Sequence, residues 1–190
     1  MTNNMDKHTL RLAYKARRQA MCDEDVTRRA KALTHNILSL PAYTNAKTIM
    51  AYLAMPKEAN LDALIQHAIE AGKSVYVPIC TTKTTMIAAK LASLDDVTTG
   101  VLNIRIPKEG YETIEPTELD LILVPGVAFD EQCGRLGMGA GYYDRFLADV
   151  PKARCIGVGW DIQVSEESLP MNSYDKHLGG LVTDCRIKTF

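Results

Sequence analysis

The chain has 190 residues, of which 46% are hydrophobic and 24% are charged; this size supports one core rather than two independent ones. It carries 22 lysine and arginine residues against 23 aspartate and glutamate residues, so no net field attracts nucleic acid or an acidic membrane. No apolar run reaches the roughly 18 residues that a membrane span needs. We therefore expect one domain over residues 1–190, monomeric and cytoplasmic, that binds neither nucleic acid nor membrane.

Two helices are predicted in the first 40 residues, as a helical segment packed on the rest of the domain. The first covers about Leu10 to Met21. In the second, apolar residues recur at spacings of 4, 3, 4 and 3, which is the stripe of a helix packed on a core. These residues are Val26, Ala30, Leu33, Ile37 and Leu40, and we expect Pro41 to end the helix.

A β-α-β unit follows. TIMAYLA reads as a buried strand, Asn60 is placed to cap the helix NLDALIQHAIEAG, Gly72 ends that helix, and SVYVPI is a second strand. Such units build parallel sheets. MIAAKLA is a weaker strand candidate, and Leu94 to Pro116 shows no clear pattern.

The clearest central strands are LDLILVPG, residues 119–126, and ARCIGVGW, residues 153–160, because both are apolar along their length. Together these elements predict an α/β fold with three layers: a mostly parallel central sheet with helices on both faces, Rossmann-like and of a single domain.

Five cysteines are scattered along the chain without a CxxC pair. This pattern favours reduced thiols over a disulfide framework or a zinc site. The sequence predicts that they are mainly core side chains: Cys22, Cys80, Cys133, Cys155 and Cys185.

The stretch GRLGMGAGYYDRF, residues 134–146, is the strongest candidate site. Gly137, Gly139 and Gly141 alternate, so the backbone can approach a ligand closely, and a helix predicted to start after them favours an anion such as phosphate. Arg135 could add a charged contact, and Asp144 could hold a metal that bridges phosphate oxygens. The plainer alternative is a glycine-rich turn with Asp144 as a favourable charge in the first helical turn.

Near the N-terminus four basic residues stand at spacings of 4, 4 and 3, so on a helix they would form one cationic stripe: Lys7, Arg11, Lys15 and Arg18. A solvated face is the ordinary interpretation, and we expect it for Lys15 and Arg18. Lys7 and Arg11 become relevant to function if the helix folds back over the glycine loop.

Two acidic residues are weaker candidates. Glu58 follows a predicted strand and could bond a ligand, or it is an ordinary loop carboxylate. Asp175 lies in a segment rich in Pro, Asn and Ser, where an aspartate is commonly a turn residue.

The stretch LDLILVPGVAFDEQCGRLGMGAGYYDRFL resembles the signature of the 5-formyltetrahydrofolate cyclo-ligase family. KHTLR, YLAMPKEANLDALI and LPMNSYDKHLGGLVTD are similar to further segments of that family, in the same order, so the resemblance covers nearly the whole chain. It implies ATP-dependent cyclisation of 5-formyltetrahydrofolate to 5,10-methenyltetrahydrofolate, with release of ADP and phosphate.

The resemblance also implies residue roles. The ATP contacts would be Lys7, Arg11, Arg135, Leu136, Gly137, Met138, Gly139, Ala140, Gly141, Tyr142 and Tyr143. The folate contacts would be Arg11, Leu53, Glu58, Met138, Gly139, Ala140, Gly141 and Tyr142. Catalytic roles would fall to Arg11, Arg135 and Tyr142, and Mg²⁺ would be held by Asp144 and Asp175.

Two positions depart from the family pattern, which commonly has Arg where this chain has Met138, and Gly or Lys where it has Ala140. Loss of a charged hydrogen bond to phosphate could cost about 1.5–3 kcal/mol of binding free energy. A non-catalytic folate- or nucleotide-binding module is therefore the main alternative, and a sugar-phosphate or CoA-ester enzyme on a similar sheet is a third.

Overall fold

The computed structural model describes residues 6–100 and 104–189. The α-helices in this part of the chain are α1 (Lys7–Gln19), α2 (Asp23–Leu38), α3 (Pro41–Asn45), α4 (Asp62–Glu70) and α5 (Tyr142–Phe146). The strands are β1 (Thr48–Met50), β2 (Ser74–Cys80), β3 (Met86–Lys90), β4 (Val97–Thr99), β5 (Arg105–Pro107), β6 (Thr113–Ile114), β7 (Leu121–Pro125), β8 (Ala128–Asp130), β9 (Arg135–Leu136), β10 (Cys155–Val158), β11 (Val164–Ser165), β12 (Gly180–Val182) and β13 (Ile187–Thr189).

Eight of the described strands form the central sheet, in the order β13-β12-β10-β7-β1-β2-β3-β6. The strands from β12 to β2 in this order pair in parallel, and β13, β3 and β6 are antiparallel additions at the two edges. The prediction of a mostly parallel sheet is confirmed, with MIAAKLA forming the antiparallel strand β3.

The side of the sheet to which successive strands are added changes between β1 and β7. From β1 it proceeds to β2 on one side, whereas β7, β10 and β12 extend the sheet on the other side. In open α/β sheets, ligands bind in the crevice beyond the carboxyl ends of the strands at such a reversal. The segments that follow β1 and β7 are therefore the places to look for a site.

The two faces of the sheet bury separate apolar clusters. Along β7, Leu121 and Leu123 face a cluster that includes side chains of α2, α3 and α4. Ile122 and Val124 face the opposite cluster, which includes Phe146 of α5. This alternation produces the three predicted layers, with more helical cover on one face than on the other.

The two N-terminal helices form where the sequence predicts, but their boundaries differ: α1 runs Lys7–Gln19 rather than from about Leu10 to Met21. Leu33 and Ile37 of α2 are fully buried, as the apolar stripe predicts. The helix ends at Leu38, however, and Pro41 begins the short helix α3 instead of ending α2. Proline suits the first turn of a helix because its missing N–H would lack a partner there in any case.

The cap of α4 also differs from the prediction. Leu61 holds the capping position, so the helix begins one residue later than predicted. The Asn60 side chain accepts a hydrogen bond from the Asp62 N–H at 2.7 Å. Gly72 has a φ of 75° just after the helix, the left-handed conformation that glycine adopts readily.

The cysteine prediction holds for two residues and is wrong for three. Cys133 and Cys155 are buried, whereas Cys22, Cys80 and Cys185 are exposed, and all five are free thiols. Exposed positions on loops and strand ends give these thiols no packing role. No helix in the described ranges is long and apolar enough to cross a membrane.

The unassigned stretch from Leu94 to Pro116 contains a small hairpin of β4 and β5 and the edge strand β6. Residues 101–103 within it lie outside the described residues. These strands are too short for hydrophobic periodicity to reveal.

Candidate active site

A large cavity opens at the carboxyl ends of β1 and β7. Its volume is about 1470 Å³, larger than the ~300–1,000 Å³ of a typical small-molecule pocket. Its walls come from the segment after β1, the end of β2, the glycine loop and the segment around residue 175. The cavity therefore has room for more than one small ligand, at the position where the topology favours binding.

The glycine loop, residues 134–141, lies against this cavity. Its first residues include β9, which pairs with β8, and the helix α5 that follows the loop spans only five residues. Gly139 and Gly141 have φ angles of 109° and 68°, which glycine tolerates, whereas Gly137 does not have a positive φ. Any phosphate contact thus depends more on the loop backbone than on a helix dipole.

Helix α1 folds back over the loop. The Arg11 side chain donates from Nε to the carbonyl oxygen of Gly137 at 2.8 Å, and its guanidinium packs beside Gly139. On the same helix, Leu10 and Tyr14 share a buried cluster with Leu136 of the loop. The helix therefore has the arrangement, folded back over the glycine loop, in which Arg11 becomes relevant to function.

Arg135 is a buried cation beneath the loop. It donates to the carboxylate of Asp144 at 2.9 Å, and only 4% of the Arg135 side chain is exposed. Its guanidinium carbon lies 5.5 Å from the centre of the Tyr143 ring. A Cβ atom at residue 137 would lie 2.8 Å from the Arg135 guanidinium, so a larger residue there would require that side chain to shift.

Lys7 and Asp175 form an ion pair between α1 and the segment near the C-terminal end of the chain. Burial alone would raise the pKa of Asp175, but the hydrogen bond from Lys7 and the Asn172 N–H outweigh it and lower that pKa. The backbone N–H of the next residue, Lys176, donates to Asp144 at 3.3 Å. The two acids predicted to hold metal are therefore on adjoining segments of one wall.

Arg145 holds the end of the loop in place, a role that the sequence did not reveal. It donates to the carbonyl oxygens of Thr84 and Ala140, each at 2.8 Å, and its guanidinium carbon lies 5.5 Å from the centre of the Tyr142 ring. The Tyr142 hydroxyl donates to the carbonyl of Thr82 at 2.9 Å. These contacts connect the glycine loop to the β2–β3 turn across the cavity.

The prediction of a solvated Arg18 is wrong. Arg18 donates to Glu58 at 3.1 Å, and their side chains are 6% and 11% exposed. The other carboxylate oxygen of Glu58 accepts from the Met55 N–H at 3.0 Å. Helix α1 packs on the segment after β1, so its last turn is covered, and the arginine compensates the charge of a carboxylate in the cavity wall. Lys15 is half-buried.

Asp130 is a buried acid that positions the loop rather than lining the cavity. Its carboxylate accepts from the N–H groups of Gln132, Gly134 and Leu169 at 3.0, 2.7 and 2.8 Å. This anchors the turn before the glycine loop to the C-terminal part of the chain. In the sequence, Asp130 stands within the stretch that resembles the family signature, and this was the available signal.

All the sequence-predicted site residues line this one cavity: Lys7, Arg11, Leu53, Glu58, the run Arg135 to Tyr143, Asp144 and Asp175. Leu53 is buried, whereas Met138 is 45% exposed. Within the described ranges no group of three or more His, Cys, Asp or Glu side chains could hold a metal by itself. The fold and the cavity define a three-layer α/β protein with a large ligand cleft beside the point where the sheet reverses.

Comparison with known proteins identifies the family. The model of the 5-formyltetrahydrofolate cyclo-ligase family matches residues 3–184. The chain is 34% identical over 149 residues to 5-formyltetrahydrofolate cyclo-ligase of Haemophilus influenzae, covering 76% of this chain and 80% of that one. It is 29% identical over 176 residues to the Escherichia coli K12 protein of that name, covering 90% and 96%.

A solved structure agrees. The NMR structure of Aquifex aeolicus 5,10-methenyltetrahydrofolate synthetase superposes with a TM-score of 0.85 at 31% identity, covering 97% of this chain and 93% of that one. The chain therefore belongs to the 5-formyltetrahydrofolate cyclo-ligase family.

Proposed function

We propose that the protein uses ATP to convert 5-formyltetrahydrofolate into 5,10-methenyltetrahydrofolate, ADP and phosphate. The observation that carries the proposal is a cavity of about 1470 Å³, lined by the glycine loop, by basic side chains and by the carboxylates of Asp144 and Asp175. Such a cavity has room for a nucleotide and a folate together. Membership of the family supports the choice of substrate.

The glycine loop and the basic residues around it form the nucleotide end. Its backbone bends tightly at Gly139 and Gly141, so N–H groups can approach phosphate oxygens without a Cβ atom in the way. Lys7 and Arg11 on α1 bring positive charge over the loop. The roles follow the predicted ATP set, from Arg135 to Tyr143 with Lys7 and Arg11.

The folate end lies beyond the loop, at the segment that follows β1. Leu53 is buried there and gives an apolar surface for a ring, and Glu58 offers a carboxylate. Arg11, between the two ends, can contact both substrates, in agreement with its place in both predicted sets. Arg11 and Arg135 would stabilise the charge on the phosphoryl group during transfer.

The reaction has two balanced steps. The formyl group is an amide, whose oxygen is a poor leaving group. The formyl oxygen attacks the terminal phosphorus of ATP and forms an O–P bond while the bond to ADP breaks. The bridging amine nitrogen then forms a bond to the activated carbon, loses its proton, and the C–O bond breaks to release phosphate. Catalysis of this kind depends on positioning and electrostatics.

Mg²⁺ fits the residues of one wall. Magnesium is commonly held by one or two carboxylates together with substrate phosphates and water, and Asp144 and Asp175 are on adjoining segments there. Each carboxylate is paired with a cationic side chain, Asp144 with Arg135 and Asp175 with Lys7, and the ion would share or replace these partners. When bound, the ion would supply neutralisation of phosphate charge.

The test is to follow the absorbance of the methenyl product with 5-formyltetrahydrofolate, with and without ATP and Mg²⁺. We expect product only when all three are present. Turnover without ATP would contradict the phosphorylation step. Binding of folate or ATP without any turnover would instead favour the non-catalytic binding module. That alternative is based on Met138 and Ala140, the two positions that depart from the family pattern.

A further inference from the structure

The walls of the main cavity carry an excess of positive charge, although the whole chain has a formal net charge of −1. Seven lysine and arginine side chains line the cavity, against three carboxylates. Each of these carboxylates already has a cationic partner among the described residues: Arg18 pairs with Glu58, Arg135 with Asp144 and Lys7 with Asp175. The remaining positive charge is therefore left for ligands to neutralise.

Two of the uncompensated cations stand where the glycine loop meets the β2–β3 turn. Arg145 donates there only to carbonyl oxygens, from Nε to Thr84 and from Nη2 to Ala140, each at 2.8 Å. These neutral partners leave its charge unbalanced. Lys83, the residue before Thr84, lines the same cavity, and no described carboxylate pairs with it. Both cations are exposed, so they lie at the mouth of the cavity.

The Arg145 guanidinium is held in a fixed orientation. Its two carbonyl bonds and its packing on the Tyr142 ring, 5.5 Å from the ring centre, restrain the side chain. Its Nη1 donates to no other described residue. A guanidinium that is already oriented loses little freedom when it binds a carboxylate, and the bond formed is charge-assisted. Arg145 is therefore prepared to bind an anion at the cavity mouth.

The position favours an anion of the folate over the phosphates of ATP. Arg11 contacts the loop at Gly137, a residue that the resemblance assigns to ATP alone. Arg145 contacts Ala140 and Tyr142, which it assigns to the folate as well. A folate carries its own anion, because its aminobenzoyl ring ends in a glutamate with two carboxylates. These charged groups need solvent or cations, so they belong at the mouth of the cavity.

We infer that Arg145 and Lys83 bind the carboxylates of the glutamate tail of the folate. The inference rests on the proposed function, and it adds to the folate site two residues that the predicted folate set omits. Neither residue contacts the reacting atoms in this assignment. Their contribution is to affinity for the folate and not to the phosphoryl transfer.

Lys83→Met is the first test, because the Lys83 side chain is exposed and makes no contact on which the fold depends. We expect the KM for 5-formyltetrahydrofolate to rise about 2- to 5-fold, the loss of one solvent-exposed ion pair. The KM for ATP and the melting temperature should not change. Lys31→Met is the matched control, since Lys31 is an exposed lysine of α2 outside the cavity, and it should leave both KM values unchanged.

Arg145→Gln is the second test. The amide can still donate to one carbonyl oxygen, but the charge is gone. We expect the KM for 5-formyltetrahydrofolate to rise about 3- to 10-fold, because the oriented guanidinium contributes more than an exposed lysine. A KM that rises for ATP and not for the folate, in either variant, would assign these cations to the nucleotide and overturn the inference.

A ligand without the glutamate separates tail binding from support of the loop. 5-Formyltetrahydropteroate keeps the pterin and the aminobenzoyl ring but ends before the glutamate. The unmodified protein should bind it more weakly than 5-formyltetrahydrofolate, whereas Arg145→Gln and Lys83→Met should bind it as tightly as the unmodified protein does. This cycle isolates the contact with the tail. If the variants lose equal affinity for both ligands, Arg145 acts only through the loop and the inference is wrong.

Failure of the proposed function is separable from failure of the inference. If the unmodified protein binds 5-formyltetrahydrofolate but does not convert it, the proposed reaction is wrong, and calorimetric Kd values replace KM in the same cycle. Weaker binding of the folate alone by the two variants then supports the inference, and equal binding overturns it. A protein that binds no folate at all would overturn both.

Discussion

The ion pair between Arg18 and Glu58 gives a direct prediction about stability. Arg18→Met keeps most of the aliphatic bulk and removes the charge, leaving Glu58 in a wall where its side chain is only 11% exposed. Removing one partner of a buried pair typically costs about 3–5 kcal/mol of unfolding free energy. Because Glu58 borders an open cavity, we expect the lower limit, about 3 kcal/mol. In a chain of this length that lowers the melting temperature by about 6–12 °C.

Thermal melting and urea unfolding at neutral pH measure the effect. Arg28→Met is the control, because Arg28 and Asp25 also pair, but with 70% and 44% of their side chains exposed. We expect this control to melt close to the unmodified protein, as exposed pairs contribute little. The double variant Arg18→Met/Glu58→Gln should regain much of the loss, since no uncompensated charge remains.

An Arg18→Met variant as stable as the Arg28→Met control would refute the reasoning. It would mean that Glu58 is solvated through the cavity and that Arg18 does not compensate its charge. A double variant no more stable than Arg18→Met alone would locate the loss in packing rather than in the ion pair.

Three further predictions concern the rest of the site. Arg11→Ala should raise the KM for both ATP and folate, with a melting temperature near that of the unmodified protein; a lower melting temperature with unchanged KM values would make Arg11 structural. Met138→Arg should lower the KM for ATP, because residue 138 is 45% exposed within the loop and arginine there would gain a phosphate partner; a raised KM for folate alone would instead place Met138 against the pterin. Asp175→Asn should be less stable than the unmodified protein at pH 7, because the depressed pKa of Asp175 means that its ionised form stabilises the fold. Urea unfolding should show this difference in stability vanish as the pH falls through that depressed pKa, below the ordinary 3.8. A difference that persists in acid would rule out the ion pair as its source.

The parts of the fold that follow from local pattern were predictable from the sequence. Leu33 and Ile37 are buried where the helical stripe places them, and the apolar run at Leu121–Pro125 is a central strand. The period of the apolar residues encodes these elements, so a single sequence suffices. The glycine-rich stretch of residues 134–146 likewise pointed to a ligand site, because alternating glycines let the backbone approach a ligand closely.

Long-range contacts were not predictable. Arg18 looked like one more basic residue on a helix face, since nothing near it in sequence shows that Glu58 packs over it. The β8–β9 hairpin was missed because Phe129 and the glycines around it gave no strand period. Phe129 is fully buried, and a Cβ atom at Gly157 would lie 2.8 Å from its ring. The glycines of the GVGW segment therefore accommodate a ring from a distant part of the chain.

The unpaired polar atoms of the structure have a distribution that bears on function. Within the described residues, the buried side-chain atoms without a partner are Nε of Arg18, Arg29 and Arg135 and the hydroxyl of Tyr143. Arg135 and Tyr143 line the main cavity, and Arg18 supports a residue that does. Folded proteins rarely leave such groups unpaired, because each unpaired buried group lowers the free energy of unfolding. Two of the four, Nε of Arg135 and the hydroxyl of Tyr143, belong to residues of the cavity wall, so part of the folding cost of unpaired groups falls on residues at the candidate site.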